Sequence, residues 1–127
     1  MKYEIDKKDK YTLLKLNEEK LDTLVAPVLK SELITLFQSG TSNVIFDLSG
    51  VKYVDSSGLS SILVANRLAG EAEGSLVLAG ISDHVMKLIT ISRLDSVLNI
   101  LPTVDEAIDS VFMDELEKDL TQEKDSE

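Results

Sequence analysis

The stretch Val44–Leu68, "VIFDLSGVKYVDSSGLSSILVANRL", joins two apolar runs across a polar seam, Asp55-Ser56-Ser57-Gly58. Upstream of the seam, "NVIFDL" (Asn43–Leu48) is short, β-branched and aromatic, the composition of a central strand buried on both faces. Downstream, Leu59, Ile62, Leu63 and Asn66 fall on one face at helical spacing, with Gly70 near the helix end. The seam therefore lies where a strand feeds a helix. In an open α/β sheet such places, at the carboxyl ends of strands, are where sites form. One Asp or Ser is enough to accept a bond from a first-turn amide. Here an acid and two hydroxyls cluster, followed by a glycine that lets the backbone turn tightly. Two readings stand side by side: a helix cap, and a serine presented to something outside the chain.

Working outward, "YEI" and "YTLLKL" (Tyr11–Leu16) read as two strands of an antiparallel hairpin around the turn "DKKDK". In "LDTLVAPVLKSELITLFQSG", Leu29, Leu33, Leu36 and Phe37 predict a helix from near Val25 to near Gln38, with Pro27 tolerated in its first turn. After the seam helix, "SLVLAG" is another short buried strand. "SDHVMKLITIS" opens on a Ser-Asp cap and groups Val85, Leu88 and Ile89 as a short helix would. "SVLNI" reads as a last edge strand. Pro102-Thr103 then introduces a terminal amphipathic helix carrying Val104, Ala107, Ile108, Val111 and Leu116. The order β-β-α-β-α-β-α-β-α predicts one α/β domain with a mostly parallel sheet and one antiparallel N-terminal strand. We assign residues 1–113 to the domain and 114–127 to an acidic C-terminal tail, a helix end or a disordered segment.

Composition narrows the function classes. The 127 residues fit one core, and with 43% hydrophobic but only 5% aromatic residues that core is mainly aliphatic. No apolar run approaches the roughly 18 residues of a membrane span, and "MKYEIDKKDK" has no signal-peptide core behind its charges. Cysteine is absent, which excludes disulfides and thiolate metal sites. The expectation is a soluble, cytoplasmic protein. A net charge of −10 argues against nucleic acid and anionic membrane as partners. Half of that charge is local: the seven acids and two lysines of residues 114–127 leave −5.

Catalytic constellations are missing. Neither a GxxxxGKS/T nor a GxGxxG phosphate loop is present. The one histidine, His84, starts a predicted helix, and no GxSxG elbow accompanies it, so a serine nucleophile lacks its base. No Cys/His cluster or DxDxDG loop offers a metal site, and no cofactor is implied.

The segment "VIFDLSGVKYVDSSGLSSILVA" resembles the signature of STAS domains of the bacterial anti-sigma factor antagonist type: a strand ending in "DL", a short loop, then "DSSGL" opening a helix. "LDTLVAPVLKSEL" is similar to that family's "LD" and following helix. "LVLAGISDHVMKLITISRLDSVLNILPTVDEAI" is similar to its strand, helix, strand and terminal helix. Together these stretches cover about residues 2–113. The resemblance implies a binding module with no catalytic activity. A partner anti-sigma factor, itself a serine kinase, phosphorylates the first hydroxyl after the aspartate, here Ser56, and a PP2C-type phosphatase reverses this. The unphosphorylated form sequesters the anti-sigma factor and so releases a sigma factor.

By the same resemblance Asp22, Asp55, Ser56, Ser57, Gly58 and Ser60 form the partner-binding face, with Asp47 near its edge. For Asp22 a helix cap is the competing reading. Ser60 stands where the family commonly has glycine and adds a hydroxyl to the first helical turn. A second reading keeps the fold and makes the chain a scaffold or regulatory subunit of a stress-signalling or transport complex. A small serine hydrolase is the distant third. The expected assembly is a monomer or weak dimer.

Overall fold

A computed structural model describes residues 1–126, with side chains through Thr121. Strands β1 (Tyr3–Lys7) and β2 (Thr12–Leu16) form the expected hairpin. They are followed by β3 (Lys20–Leu21), α1 (Ala26–Gln38), β4 (Val44–Asp47), β5 (Tyr53–Val54) and α2 (Ser56–Glu71). The chain continues through β6 (Leu76–Ala79), α3 (Asp83–Ile91), β7 (Asn99–Leu101) and α4 (Val104–Ser126). The central sheet has the order β1-β2-β4-β6-β7, antiparallel only between β1 and β2.

Side-chain alternation divides the interior into two layers. Leu14, Leu16, Val44, Phe46, Leu76 and Leu78 point to the face that α1, α2 and α3 cover. Ile45, Val77 and Ala79 point to the other face, where Ala107 and Val111 of α4 close the core. Strands β4 and β6 are therefore buried at every position, as a continuous apolar run predicts for a central parallel strand.

Three details depart from the sequence reading. The segment "SGVKYVDSS" is not a plain loop: β5 pairs in parallel with β3, placing Leu21 opposite Val54 in a separate two-stranded sheet. Two-residue strands are too short to leave a periodic signal. The last strand begins at Asn99, later than "SVLNI" implies, because the amides of Val97 and Leu98 are drawn back to the Leu94 carbonyl in the turn after α3. Finally, Leu116, grouped in the sequence with Val104, Ala107, Ile108 and Val111 on the terminal helix, stands off their buried face and is 52% exposed. Residues 114–126 continue α4, and Glu127 lies outside the described residues.

The amino-terminal edge of the sheet is tied together by Asn43, which is 4% exposed. Its amide nitrogen donates to the Lys10 carbonyl at 3.0 Å and to Glu115 Oε1 at 2.7 Å. Its oxygen accepts from the Ser75 amide at 2.9 Å. One side chain thus joins the β1–β2 turn, the start of β6 and α4. Gly74 lies against the same edge, where a Cβ would fall 1.8 Å from the Ser42 carbonyl oxygen.

Candidate functional site

The seam occupies the opposite, carboxyl-terminal edge. Asp55 is extended at φ −100° and ψ −173° and is the N-cap of α2. Its Oδ1 accepts the Gly58 amide at 2.9 Å, and its Oδ2 accepts the Thr23 hydroxyl at 3.2 Å. Its own amide donates to the Leu21 carbonyl. The cap is thus also a clamp on the β3–α1 connection. The Gly58 amide, helped by the Thr23 hydroxyl, holds the Asp55 carboxyl below its ordinary value, because both donate to the charged form. Asp55 is therefore ionised throughout the neutral range.

Gly58 is where α2 meets β3. A Cβ there would stand 2.2 Å from the Leu21 carbonyl oxygen and 2.8 Å from Val54 Cγ1. The glycine allows a close helix-to-strand approach rather than an unusual backbone angle. Ser61, fully buried one turn later, donates back to the Gly58 carbonyl at 2.6 Å.

With Asp55 as the cap, Ser56 is left as the first helical residue, exposed to solvent. Ser57 is half-buried behind it. Ser60, one turn along, lies 3.4 Å from the Lys30 ammonium of α1, which donates to its hydroxyl. Asp22 stands on the neighbouring connection, where its Oδ1 accepts the Leu24 and Val25 amides at 3.1 and 3.3 Å. It organises the turn that leads into α1, whose own N-cap is Val25. Asp47 accepts the Ser49 amide at 3.0 Å and is buried at the end of β4, under the turn at Gly80.

The structure thus brings Asp22, Asp55, Ser56, Ser57, Gly58 and Ser60 to one end of the molecule, with Asp47 at the end of the central sheet. Sequence reasoning missed three neighbours. Thr23 joins the two segments through Asp55, and Lys30 reaches Ser60 across the α1–α2 contact. Leu24, 84% exposed, is an apolar side chain standing beside them. Its signal was present: Leu24 lies outside the Leu29, Leu33, Leu36 spacing and so has no place in the α1 core stripe. His84 is exposed on α3. Among the described residues there is no group of three or more potential metal ligands, and no helix is long and apolar enough to cross a membrane.

Comparison with known proteins places this arrangement. The curated anti-sigma-B factor antagonist of Staphylococcus aureus is 28% identical over 92 residues, covering 72% of this chain and 84% of that one. A crystal structure of a candidate anti-sigma factor antagonist from Thermotoga maritima superimposes with a TM-score of 0.80 at 22% identity, covering 86% of this chain and 93% of that one. The Bacillus cell fate determinant SpoIIAA in its phosphorylated form superimposes at 0.68 with 21% identity, covering 87% and 99% of the two chains. The STAS domain model matches residues 2–107. A hairpin-led, mostly parallel sheet with an aspartate-capped α2 at its carboxyl edge, matched over that length, belongs to the STAS domain family.

Proposed function

We propose that this chain is an anti-sigma factor antagonist, a non-catalytic binding module of the cytoplasm switched by phosphorylation of Ser56. Its partners on this reading are an anti-sigma factor that is also a serine kinase, and a PP2C-type phosphatase that removes the phosphate. The observation that carries the reading is the division of labour at the seam. Asp55 performs the capping, so Ser56 is an exposed hydroxyl with no structural duty as the cap. The names of the curated relatives support the partner class.

The switch follows from electrostatics. Phosphate adds roughly −1.5 to −2 charge at neutral pH, and the unpaired amides of a helix start accommodate it without unfolding. The same charge would sit beside an ionised Asp55 and close to Asp22, at the end of the molecule where Leu24 is exposed. A docking face that excludes water tolerates an unpaired dianion poorly, so the phosphorylated form releases its partner. The exposed serine favours this over the passive scaffold reading, which needs no hydroxyl at that position.

The test is affinity for the kinase that modifies the chain. Ser56→Ala binds it constitutively and takes up no phosphate. Ser56→Asp binds at least about tenfold more weakly, a loss of about 1.4 kcal/mol, with an unchanged circular dichroism spectrum and melting midpoint. Loss of fold in Ser56→Asp, or undiminished binding by it, contradicts the switch.

A further inference from the structure

The terminal helix carries a second surface that the Ser56 site does not use. Ala107 and Val111 bury one face of α4 against Ile45, Val77 and Ala79. Beyond Val111 the apolar residues change sides. Phe112, Met113, Leu116 and Leu120 are 48%, 57%, 52% and 50% exposed. At 3.6 residues per turn these four positions span roughly 100° of arc, on the side of α4 turned away from the sheet. Met113, Leu116 and Leu120 repeat at i, i+3 and i+7, the spacing by which helices anchor on one another. Phe112 is oriented by Tyr11, whose ring it meets edge-on at 6.3 Å and 79°. The stripe is held in place: Glu115 accepts from Asn43, and the Lys118 ammonium donates to the Glu73 carbonyl. These anchors lie at the amino-terminal edge of the sheet, the end of the molecule away from Ser56.

We propose that this outward face of α4 docks an amphipathic helix of a partner protein that has basic flanks, at a site independent of the Ser56 face. Charge selects the occupant. By the same spacing the exposed acids Glu117 and Asp119 flank the stripe on its two sides, and Asp109 stands at its amino-terminal end. A second copy of α4 would set acid against acid along both flanks, and an anionic membrane would be repelled in the same way. Lysines or arginines beside an apolar seam complement it, and the exposed methionine adapts to a partner's shape. The stripe falls after residue 107, where the match to the STAS model ends.

The experiment uses the full chain and two synthetic amphipathic helical peptides. One has a leucine seam with lysine flanks; the other has the same seam with glutamate flanks. Fluorescence anisotropy across a salt series reads the affinity, and sedimentation velocity reads the assembly state. The lysine peptide binds, more weakly as salt rises, and the glutamate peptide does not. Leu116→Ser combined with Leu120→Ser weakens binding by about tenfold or more at unchanged helix content. Glu117→Gln with Asp119→Asn flattens the salt dependence. Ser56→Asp leaves the affinity untouched, which separates this face from the phosphorylation site. The proposal is overturned if the lysine peptide does not bind, or if it binds the double serine variant as tightly as the parent. It is equally overturned by a dimer of the parent chain that the double serine variant dissolves, which would identify the occupant as a second copy.

Discussion

A single carboxylate at residue 55 serves two chain segments, capping α2 through the Gly58 amide and holding the β3–α1 connection through the Thr23 hydroxyl. Asp55→Ala should lower the melting midpoint, while Asp55→Asn should lower it less, since the amide oxygen still accepts from Gly58. The pH dependence follows from the direction of the shift. The folded-state value of Asp55 is depressed, so its stabilisation is fully present above the unfolded value, near about 3.9, and fades as pH falls through the folded one. Thermal melts of parent and Asp55→Ala should accordingly differ most near neutral pH and converge in acid. A gap that stays constant down to pH 3 would mean that the charge of Asp55 contributes nothing. The ionised cap also bears on the switch, because a phosphate on Ser56 meets a full negative charge beside it.

At the scale of elements, two glycines of α2 make opposite predictions. Gly58 touches the Leu21 carbonyl and Val54, so Gly58→Ala should destabilise by about 1–3 kcal/mol through overpacking, read in urea denaturation. Gly70, also in α2, has nothing within 4 Å of a Cβ, and Gly70→Ala should stabilise by up to about 1 kcal/mol through the helix backbone. Asn43→Ala should cost about 2–3 kcal/mol, because it strands the Ser75 amide and the Lys10 carbonyl at the sheet edge. Elements with a long period were legible in the sequence. Leu29, Leu33 and Leu36 announce α1, and Val44–Asp47 and Leu76–Ala79 announce buried strands. The β3–β5 pairing was not legible, since two residues carry no periodicity and their partners lie 33 positions apart. The "DSSGL" run located the site, but which of its polar groups caps the helix depends on backbone angles that spacing does not encode. Thr23 and Lys30 join the site only through tertiary contacts, so no local pattern marks them.

Taken whole, the molecule has two ends with different chemistry. The carboxyl edge of the sheet presents Ser56 between Asp22, Asp55 and Ser60, while the amino edge anchors an acidic helix with an outward apolar stripe. The rigid sheet between them means that charge added at one end need not disturb the other. Phosphorylation should therefore change docking without changing the fold, and the melting midpoint of the phosphorylated chain should match that of the unmodified one. The most direct measurement is intact mass with phosphosite mapping of the protein isolated from its own cells, growing and stressed. One phosphate on Ser56, with occupancy that changes between the two conditions, is the predicted result. A Ser56 that stays unmodified in both would contradict the switch and leave the residue as no more than the first turn of a helix.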